Sequence, residues 1–211
     1  RGRTNSSQRW LQRQLNDPYV QRAKAEGYRS RAAYKLLEIN EKFELIKPGL
    51  TIVDLGAAPG GWTQVLSRLY KPGKEAGVYI ALDLLEMDPL PDVTFIQGDF
   101  SEEETYQKLM SCTKEGVDLV LSDMAPVTTG HRKTDHIRIM DLVEQAVYFA
   151  VDVLKPGGAF VAKTLQGAGQ NDVLLLLKKH FSKVVHYKPP SSRKESSEMY
   201  VVAKGFRKQS L

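Results

Sequence analysis

The sequence predicts an α/β protein built on a doubly wound, mostly parallel sheet, and three observations carry that prediction. The run Thr51-Ile52-Val53-Asp54-Leu55 is apolar and β-branched, and it leads through the glycine-rich turn Gly56-Ala57-Ala58-Pro59-Gly60-Gly61 into Val65, Leu66 and Leu69 at helical spacing. Strand, glycine turn and helix form the opening unit of a nucleotide-type binding fold. Further apolar runs then alternate with helical patterns, the signature of such a sheet. Lastly, polar residues recur at the carboxyl ends of successive runs: Gly56, Asp83, Asp99, Asp123 and Lys163. Open α/β sheets bind their ligands there.

In chain order, residues 1–16 are polar and basic apart from Trp10 and Leu11, and they are expected to be loosely ordered. Asp17-Pro18 opens a helix carrying Tyr19, Val20 and Ala23, since Asp caps well and Pro fits a first turn; Gly27 ends it. Ser30 is placed to cap a second helix to about Glu44, with Leu36, Ile39 and Phe43 as its apolar stripe and Lys35 beside it, able to point inward. Pro72 to Gly77 is a turn. Strands are expected at Val78–Leu82, Val93–Gln97, Val117–Leu121, Ala159–Lys163, Val184–Tyr187 and Met199–Ala203. Helices are expected from about Glu102 to Cys112, to about Leu154 on Ile139, Leu142, Val143, Ala146 and Phe149, and from Val173 to His180. Val127 to Lys133 is a polar loop, and Lys155-Pro156-Gly157-Gly158 should stop the long helix. The last two strands leave no room for a long helix between them, so they form an antiparallel pair at the sheet edge. The whole chain is expected to be a single domain: a basic helical appendage at 1–48, a core at 49–205 and a tail at 206–211.

Composition narrows the function classes. Charged residues are 26% and hydrophobic ones 42%, ordinary for a globular protein, and no run approaches the length of a membrane span. A single cysteine, Cys112, excludes an intrachain disulfide. The net charge is +5, yet residues 1–35 and 178–211 each carry +7, so the middle is net −9. An acidic centre between two basic ends suggests termini that touch a polyanion, or else two solvated basic segments.

The glycine turn fits neither the dinucleotide spacing, because position 58 is Ala, nor the phosphate-binding loop, because Trp62 and Thr63 follow the glycine pair. A nucleoside ligand without a pyrophosphate suits it, which makes S-adenosylmethionine the leading candidate; the alternative is a turn that serves only packing. Asp83 is placed to accept from a ribose diol and Asp99 from an adenine amino group, although either residue alone is equally a cap or turn residue. Lys35, Asp123, Lys163 and Glu198 form a second set. Lys163 ends an apolar run, so its stem should be buried, and a desolvated lysine near another cation has a lowered pKa and can act as a base. Asp123 and Glu198 could orient the amine. Structural readings stand beside this: a solvated Lys35, a Lys163–Glu198 ion pair and a capping Asp123. The four histidines show no metal-ligand spacing, so no metal is expected. No G-x-S-x-G elbow is present, and Ser122-Asp123-Met124-Ala125-Pro126 lacks an aromatic residue to stack on a flipped base, which favours methylation of a sugar over a base amine.

In their joint order, several segments resemble the FtsJ/RlmE family of ribose 2′-O-methyltransferases: Ser30 to Leu36, Val53 to Trp62, Asp83 to Pro89, Gln97 to Asp99, Ser122 to Pro126, Leu154 to Gly158, Lys163 with Gln166-Gly167, and Ser191-Ser192-Arg193 followed by Ser197-Glu198. The resemblance covers about Arg9 to Lys204. It implies a Rossmann-like fold with a seven-stranded, mostly parallel sheet, one antiparallel edge strand and helices on both faces. It implies a catalytic set of Lys35, Asp123, Lys163 and Glu198, and S-adenosylmethionine contacts at Gly60, Trp62, Asp83, Asp99 and Asp123, with Gly56 in the same turn; S-adenosylhomocysteine would be the product. Val127-Thr128 stands where the family often has Asn after Pro126. The implied substrate is an A-loop uridine of large-subunit ribosomal RNA on an assembled or late-assembling subunit. A cleft including Arg29, Arg31, Lys188, Arg193 and Lys194 would hold the phosphates. The tRNA anticodon loop, an mRNA cap, or a non-catalytic role in ribosome assembly are the alternatives, and NAD chemistry is disfavoured by the glycine spacing. A monomer in bacterial-type cytoplasm, or in mitochondria, is expected, with no membrane partner.

Overall fold

The computed structural model describes residues 5–70, 77–126 and 129–208. The described residues run α1 (Asn5–Asn16), α2 (Pro18–Glu26), α3 (Ala32–Phe43), β1 (Thr51–Leu55), α4 (Gly61–Leu69), β2 (Val78–Asp83), β3 (Val93–Gln97), α5 (Glu103–Cys112), β4 (Val117–Ser122), α6 (Arg132–Val153), β5 (Leu154–Leu165), α7 (Gln170–His180), β6 (Phe181–Tyr187) and β7 (Glu198–Phe206). Among them, seven strands make one sheet in the order β3-β2-β1-β4-β5-β7-β6. Neighbours pair in parallel except at β7, which runs antiparallel to both β5 and β6. The expected fold class is therefore present, with the antiparallel region at one edge and β7 slotted inside β6. No described helix is long and apolar enough to cross a membrane.

Alternation along the strands explains the layering. Val53, Leu55, Phe160, Ala162, Val201 and Ala203 face a core closed by Leu109 of α5, Val143 to Val153 of α6 and Val173 and Leu177 of α7. Ile52, Val161, Tyr200 and Val202 face the opposite core, closed by Leu36 and Ile39 of α3 and Trp62, Val65 and Leu66 of α4. Helices thus cover both faces. Each fully buried valine, leucine, isoleucine or phenylalanine among them contributes about 1.5–3 kcal/mol, which is why a run of β-branched residues settles into the middle of the sheet.

Several local expectations change. Residues 5–16 are helical rather than loosely ordered. Ser30 does not cap α3; Arg31 holds the cap position without a side-chain hydrogen bond, while the Ser30 hydroxyl lies where a Cβ on Gly61 would fall, packed against the start of α4. Leu69 is exposed rather than part of the α4 stripe. Arg132 and Lys133 belong to α6 and not to the loop, because Asp135 in the first turn accepts from the backbone N–H of Thr129 at 2.8 Å and its hydroxyl at 2.7 Å and closes the helix start early. Lys155 to Gly158 do end α6, but the chain pairs onward at once as the first part of β5, with a register shift opposite Val117 and Leu119. Val127 and Thr128, and the Pro72 to Gly77 turn before Gly77, lie outside the described residues.

Candidate active site

Beyond the ends of β1, β2 and β3 the chain forms a cradle. Gly56 sits at φ +74°, where a Cβ would meet the Met124 backbone at 2.8 Å, so only glycine lets the β1 turn and the β4 end approach this closely. Gly56 and Ala57 donate their N–H groups to the Leu82 carbonyl at 2.9 and 3.0 Å. Gly60, at φ +111°, precedes the first turn of α4, and the opening backbone N–H groups of a helix are left free for a ligand. Arg29 holds this turn against the segment after β2: its guanidinium donates to the carbonyls of Pro59 at 3.2 Å, Asp88 at 2.6 Å and Pro89 at 3.0 Å. A cavity of about 550 Å³ is lined by Pro59, Glu86, Met87, Asp88, Phe95 and Gln97, within the size range of small-ligand sites.

The predicted ligand residues around this cradle are already partly committed. Asp83 accepts from the Ala58 N–H and from the Leu85 N–H, both at 2.9 Å, one on each carboxylate oxygen. These bonds shape the glycine turn and leave the remaining lone pairs for a diol. The Oδ1 of Asp99 accepts from the Ser101 N–H at 2.9 Å and hydroxyl at 2.6 Å, and these bonds hold its carboxyl below the usual range. Trp62 is buried, its indole N–H donating to the Ala32 carbonyl at 2.8 Å and its ring against Tyr200 at 5.6 Å. Its side chain ties α4 to α3, so what it can offer a ligand is its backbone amide, in the first turn of α4.

The Lys-Asp-Lys-Glu set gathers on the neighbouring side, as two ion pairs. Lys163 Nζ lies 3.5 Å from Asp123 Oδ1 and donates to the Asp123 carbonyl at 3.3 Å. Lys35 Nζ lies 3.6 Å from Glu198 Oε2, its side chain 12% exposed, so α3 does turn this lysine inward. Strand register brings the pairs together: Leu165 pairs with Glu198 and Lys163 with Tyr200. The Lys163–Glu198 pairing considered from sequence gives way to this crossed arrangement. The expected lowering of the Lys163 pKa is also corrected. Burial alone would push it down, but the charges of Asp123 and Glu198 outweigh burial and raise it above the ordinary lysine value. The side chain is a buried ammonium.

Sequence reasoning missed Tyr200. Its hydroxyl donates to Asp123 Oδ1 at 2.8 Å from a fully buried position, and burial and the Asp123 charge push its pKa well above the usual phenol value, so it stays a donor. The signal was present: on a strand, Tyr200 shares a face with Glu198 two residues earlier. Asp54 was missed too. Thr63 Oγ1 donates to one of its oxygens at 2.7 Å, the other oxygen has no hydrogen-bond partner among the described residues, and burial, with Asp123 and Asp83 nearby, pushes its pKa up to about 7.

Four of the five basic residues assigned to phosphates already hold protein atoms. Arg29 is described above. Arg31 Nε lies 3.0 Å from Asp17 Oδ2 and its Nη2 donates to the Ser191 carbonyl at 2.7 Å. Arg193 reaches the same Asp17 oxygen at 3.1 Å. Lys188 donates to the Ser196 carbonyl at 2.5 Å. Glu38, one turn beyond Lys35, accepts the Ser191 N–H on both oxygens at 2.8 and 2.9 Å. Asp17 is the hub. Burial opposes its charge, but Arg193, Arg31 and the backbone N–H groups of Tyr19 and Val20 hold its carboxyl below the usual range. The network fastens α2 and α3 to the β6–β7 loop that delivers Glu198. Among the described residues no group of three His, Cys, Asp or Glu could hold a metal ion.

A family model described as FtsJ-like methyltransferase matches residues 28–206. The chain is 56% identical over its full length, covering 90% of the relative, to a protein named ribosomal RNA large subunit methyltransferase E from Granulibacter bethesdensis. A protein of the same name from Parvibaculum lavamentivorans is 54% identical, with 100% of this chain and 85% of the relative covered. Among solved structures, a protein described as a ribosomal RNA methyltransferase from Plasmodium falciparum superposes with a TM-score of 0.76 at 33% identity, over 85% of this chain and 98% of that one.

Proposed function

This chain belongs to the FtsJ-like methyltransferase family, and from that premise we propose that it transfers a methyl group from S-adenosylmethionine to the ribose 2′-hydroxyl of a uridine in the A-loop of large-subunit ribosomal RNA, on an assembled or late-assembling subunit. The whole chain acts as one methyltransferase unit in this reading. The observation that carries it is the buried Lys163 ammonium, 3.5 Å from Asp123, at the end of β4 where a Cβ on Gly56 of the glycine turn would meet the next residue's backbone, that of Met124. The names of the curated relatives support the ribosomal substrate.

S-adenosylmethionine, when bound, supplies an electrophilic methyl group on a sulfonium centre. Gly56, Gly60, the first turn of α4, Asp83 and Asp99 suit its nucleoside and amino-acid ends. Lys163 directs its amine toward the incoming 2′-oxygen; Asp123, braced by Tyr200, fixes that amine, and Lys35 with Glu198 borders the sugar. Most of the gain comes from orientation. Proton removal by Lys163 requires its neutral form, which the raised pKa makes scarce at neutral pH. The logarithm of the rate should therefore climb with pH at about one unit per pH unit, up to the limit of protein stability.

Incubation with labelled S-adenosylmethionine and, separately, naked large-subunit RNA, isolated large subunits and bulk tRNA tests the assignment. Label on the 2′-oxygen of an A-loop uridine, strongest with subunits, is expected. Label in tRNA would keep the chemistry and replace the substrate, and cofactor binding without label in any RNA would favour an assembly factor. Lys163→Ala should lower turnover by at least about 10²–10⁴-fold while cofactor affinity stays within twofold. Full activity in that variant would overturn the mechanism.

A further inference from the structure

The residues expected to hold RNA phosphates are largely engaged within the protein, so the cations that remain free for a polyanion lie elsewhere. Helix α1 carries two of them. Residues 5–16 contain Arg9 and Arg13 and no acid. Among the described residues neither arginine has a hydrogen-bond or ion-pair partner. Between them stands Trp10, 58% exposed, although a tryptophan at a helix surface ordinarily finds cover.

Helical geometry sorts these side chains. At about 100° per residue, Arg9 and Arg13 lie about 40° apart and Trp10 about 60° from Arg13. Leu11 and Gln14, the more covered positions of the helix, fall on the side away from Arg9. The other exposed apolar residue, Leu15, lies about 140° from Trp10. Trp10 and Leu15 therefore cannot form one apolar docking stripe, which argues against a partner helix or a membrane surface. One exposed face, about 100° wide, holds Arg9 and Arg13 side by side and the Trp10 ring at its edge.

The helix is also placed to matter. Its carboxyl end runs into Asp17, which is held by Arg31 and by Arg193 of the loop that leads to Glu198. Gln21 fastens the same end by donating to the Leu15 carbonyl at 3.0 Å. At about 1.5 Å per residue, Trp10 stands about 10 Å along the helix from that hub.

We propose that Arg9, Trp10 and Arg13 of α1 form a binding face for single-stranded RNA, in which the Trp10 ring stacks on an unpaired base outside the reacting nucleotide and the two arginines hold phosphates beside it. Stacking on an exposed ring, with cations along the backbone, is how unpaired nucleic acid is gripped without base-edge readout. The face gives the enzyme affinity for unpaired segments near its target and leaves the chemistry untouched. The proposal deepens the reading of an RNA substrate and rests on it.

The test uses the full chain with naked large-subunit RNA and with isolated subunits. Trp62, the other tryptophan, is buried, so quenching of the exposed Trp10 fluorescence on adding RNA reports this face directly. Quenching that disappears in Trp10→Phe is expected. Trp10→Ala should weaken RNA binding and raise the KM for RNA about tenfold, consistent with the loss of one stacked base. Trp10→Phe should retain most of the affinity, and kcat and cofactor affinity should stay within twofold in both. Arg9→Ala with Arg13→Ala should flatten the salt dependence of binding by about two phosphate contacts. Unchanged RNA affinity in Trp10→Ala would overturn the proposal and leave the methyltransferase reading standing. Weaker binding in that variant, in a protein that methylates no RNA, would uphold the RNA face and overturn the methyltransferase reading. A loss seen only with intact subunits and not with naked RNA would assign the face to a ribosomal protein and overturn the proposal.

Discussion

The two sides of the candidate site are made in different ways. The cradle side is a matter of backbone shape: Gly56 to Gly61 follow one another in sequence, and β1 and β2 pair through five consecutive residues beneath them. The lysine–acid side is a matter of side chains drawn from α3, the end of β4, β5 and β7, and its members meet through ion pairs at 3.5 and 3.6 Å. A site split in this way should fail in two separable modes. Substitutions that alter backbone shape should cost ligand affinity, and substitutions that remove a charged head should cost rate at unchanged affinity.

The largest effects should come from one substitution on each side. Lys163→Ala is the rate mode, with turnover collapsing and cofactor binding retained. Gly56→Ala is the affinity mode. Its Cβ falls 2.8 Å from the Met124 backbone, on a φ of +74° that costs an L-residue about 1–2 kcal/mol by itself. The turn or the β4 end must shift. Cofactor affinity, followed by calorimetry, should fall at least tenfold, and Tm should drop by several degrees. Normal binding in Gly56→Ala, or lost binding in Lys163→Ala, would break the comparison.

Asp17→Asn sharpens it, with a smaller effect. Asn still caps α2, so the substitution removes only the charge that joins Arg31 and Arg193. Leaving both arginines without their anion should cost about 1–3 kcal/mol, a fall in Tm of roughly 2–4 °C per kcal/mol for a chain of this size. If the network positions the loop that carries Glu198, kcat should fall about tenfold with cofactor affinity unchanged, and Asp17→Glu should restore part of the rate. A loss of stability with normal kcat would reduce Asp17 to a structural clamp.

Legibility in the sequence follows the same division. The cradle was visible because the residues that make it are contiguous: apolar run, glycine turn and helical spacing each constrain the next. The strand-end acids were visible because strand ends share one side of a parallel sheet. The four-residue set was legible in membership, through the family resemblance, but not in pairing. Whether Lys163 meets Glu198 or Asp123 depends on how β5, β7 and the β4 end are placed, and no local pattern encodes that. The sign of the Lys163 shift was misjudged for the same reason, since it follows from how near the two carboxylates come. Arg29, Arg31 and Arg193 looked like phosphate ligands because charge composition cannot distinguish a free guanidinium from one that spans 160 residues to reach Ser191. Helix α1 was hidden by its polar composition.

Among the described residues Asp54 senses both sides, since Asp123 of the lysine–acid set and Asp83 of the cradle each raise its pKa after burial has done most of the work. Its carboxyl titrates at about 7 when folded, against an ordinary value of 3.8. From about pH 4 upward the unfolded chain has lost this proton while the folded protein still binds it. The stability contributed by this group therefore falls as pH rises from about 4 to about 7, then levels once both states are ionised. At about 1.4 kcal/mol per pH unit the full span is of order 4 kcal/mol. Asp54→Asn cannot titrate and keeps an acceptor for Thr63, so the Tm difference between parent and variant should shift in favour of the variant between pH 4 and pH 7 and stay constant above that. A pH-independent difference would mean that Asp54 is ionised throughout, with its unpartnered oxygen satisfied by water. The two sides of the site would then share no titrating group.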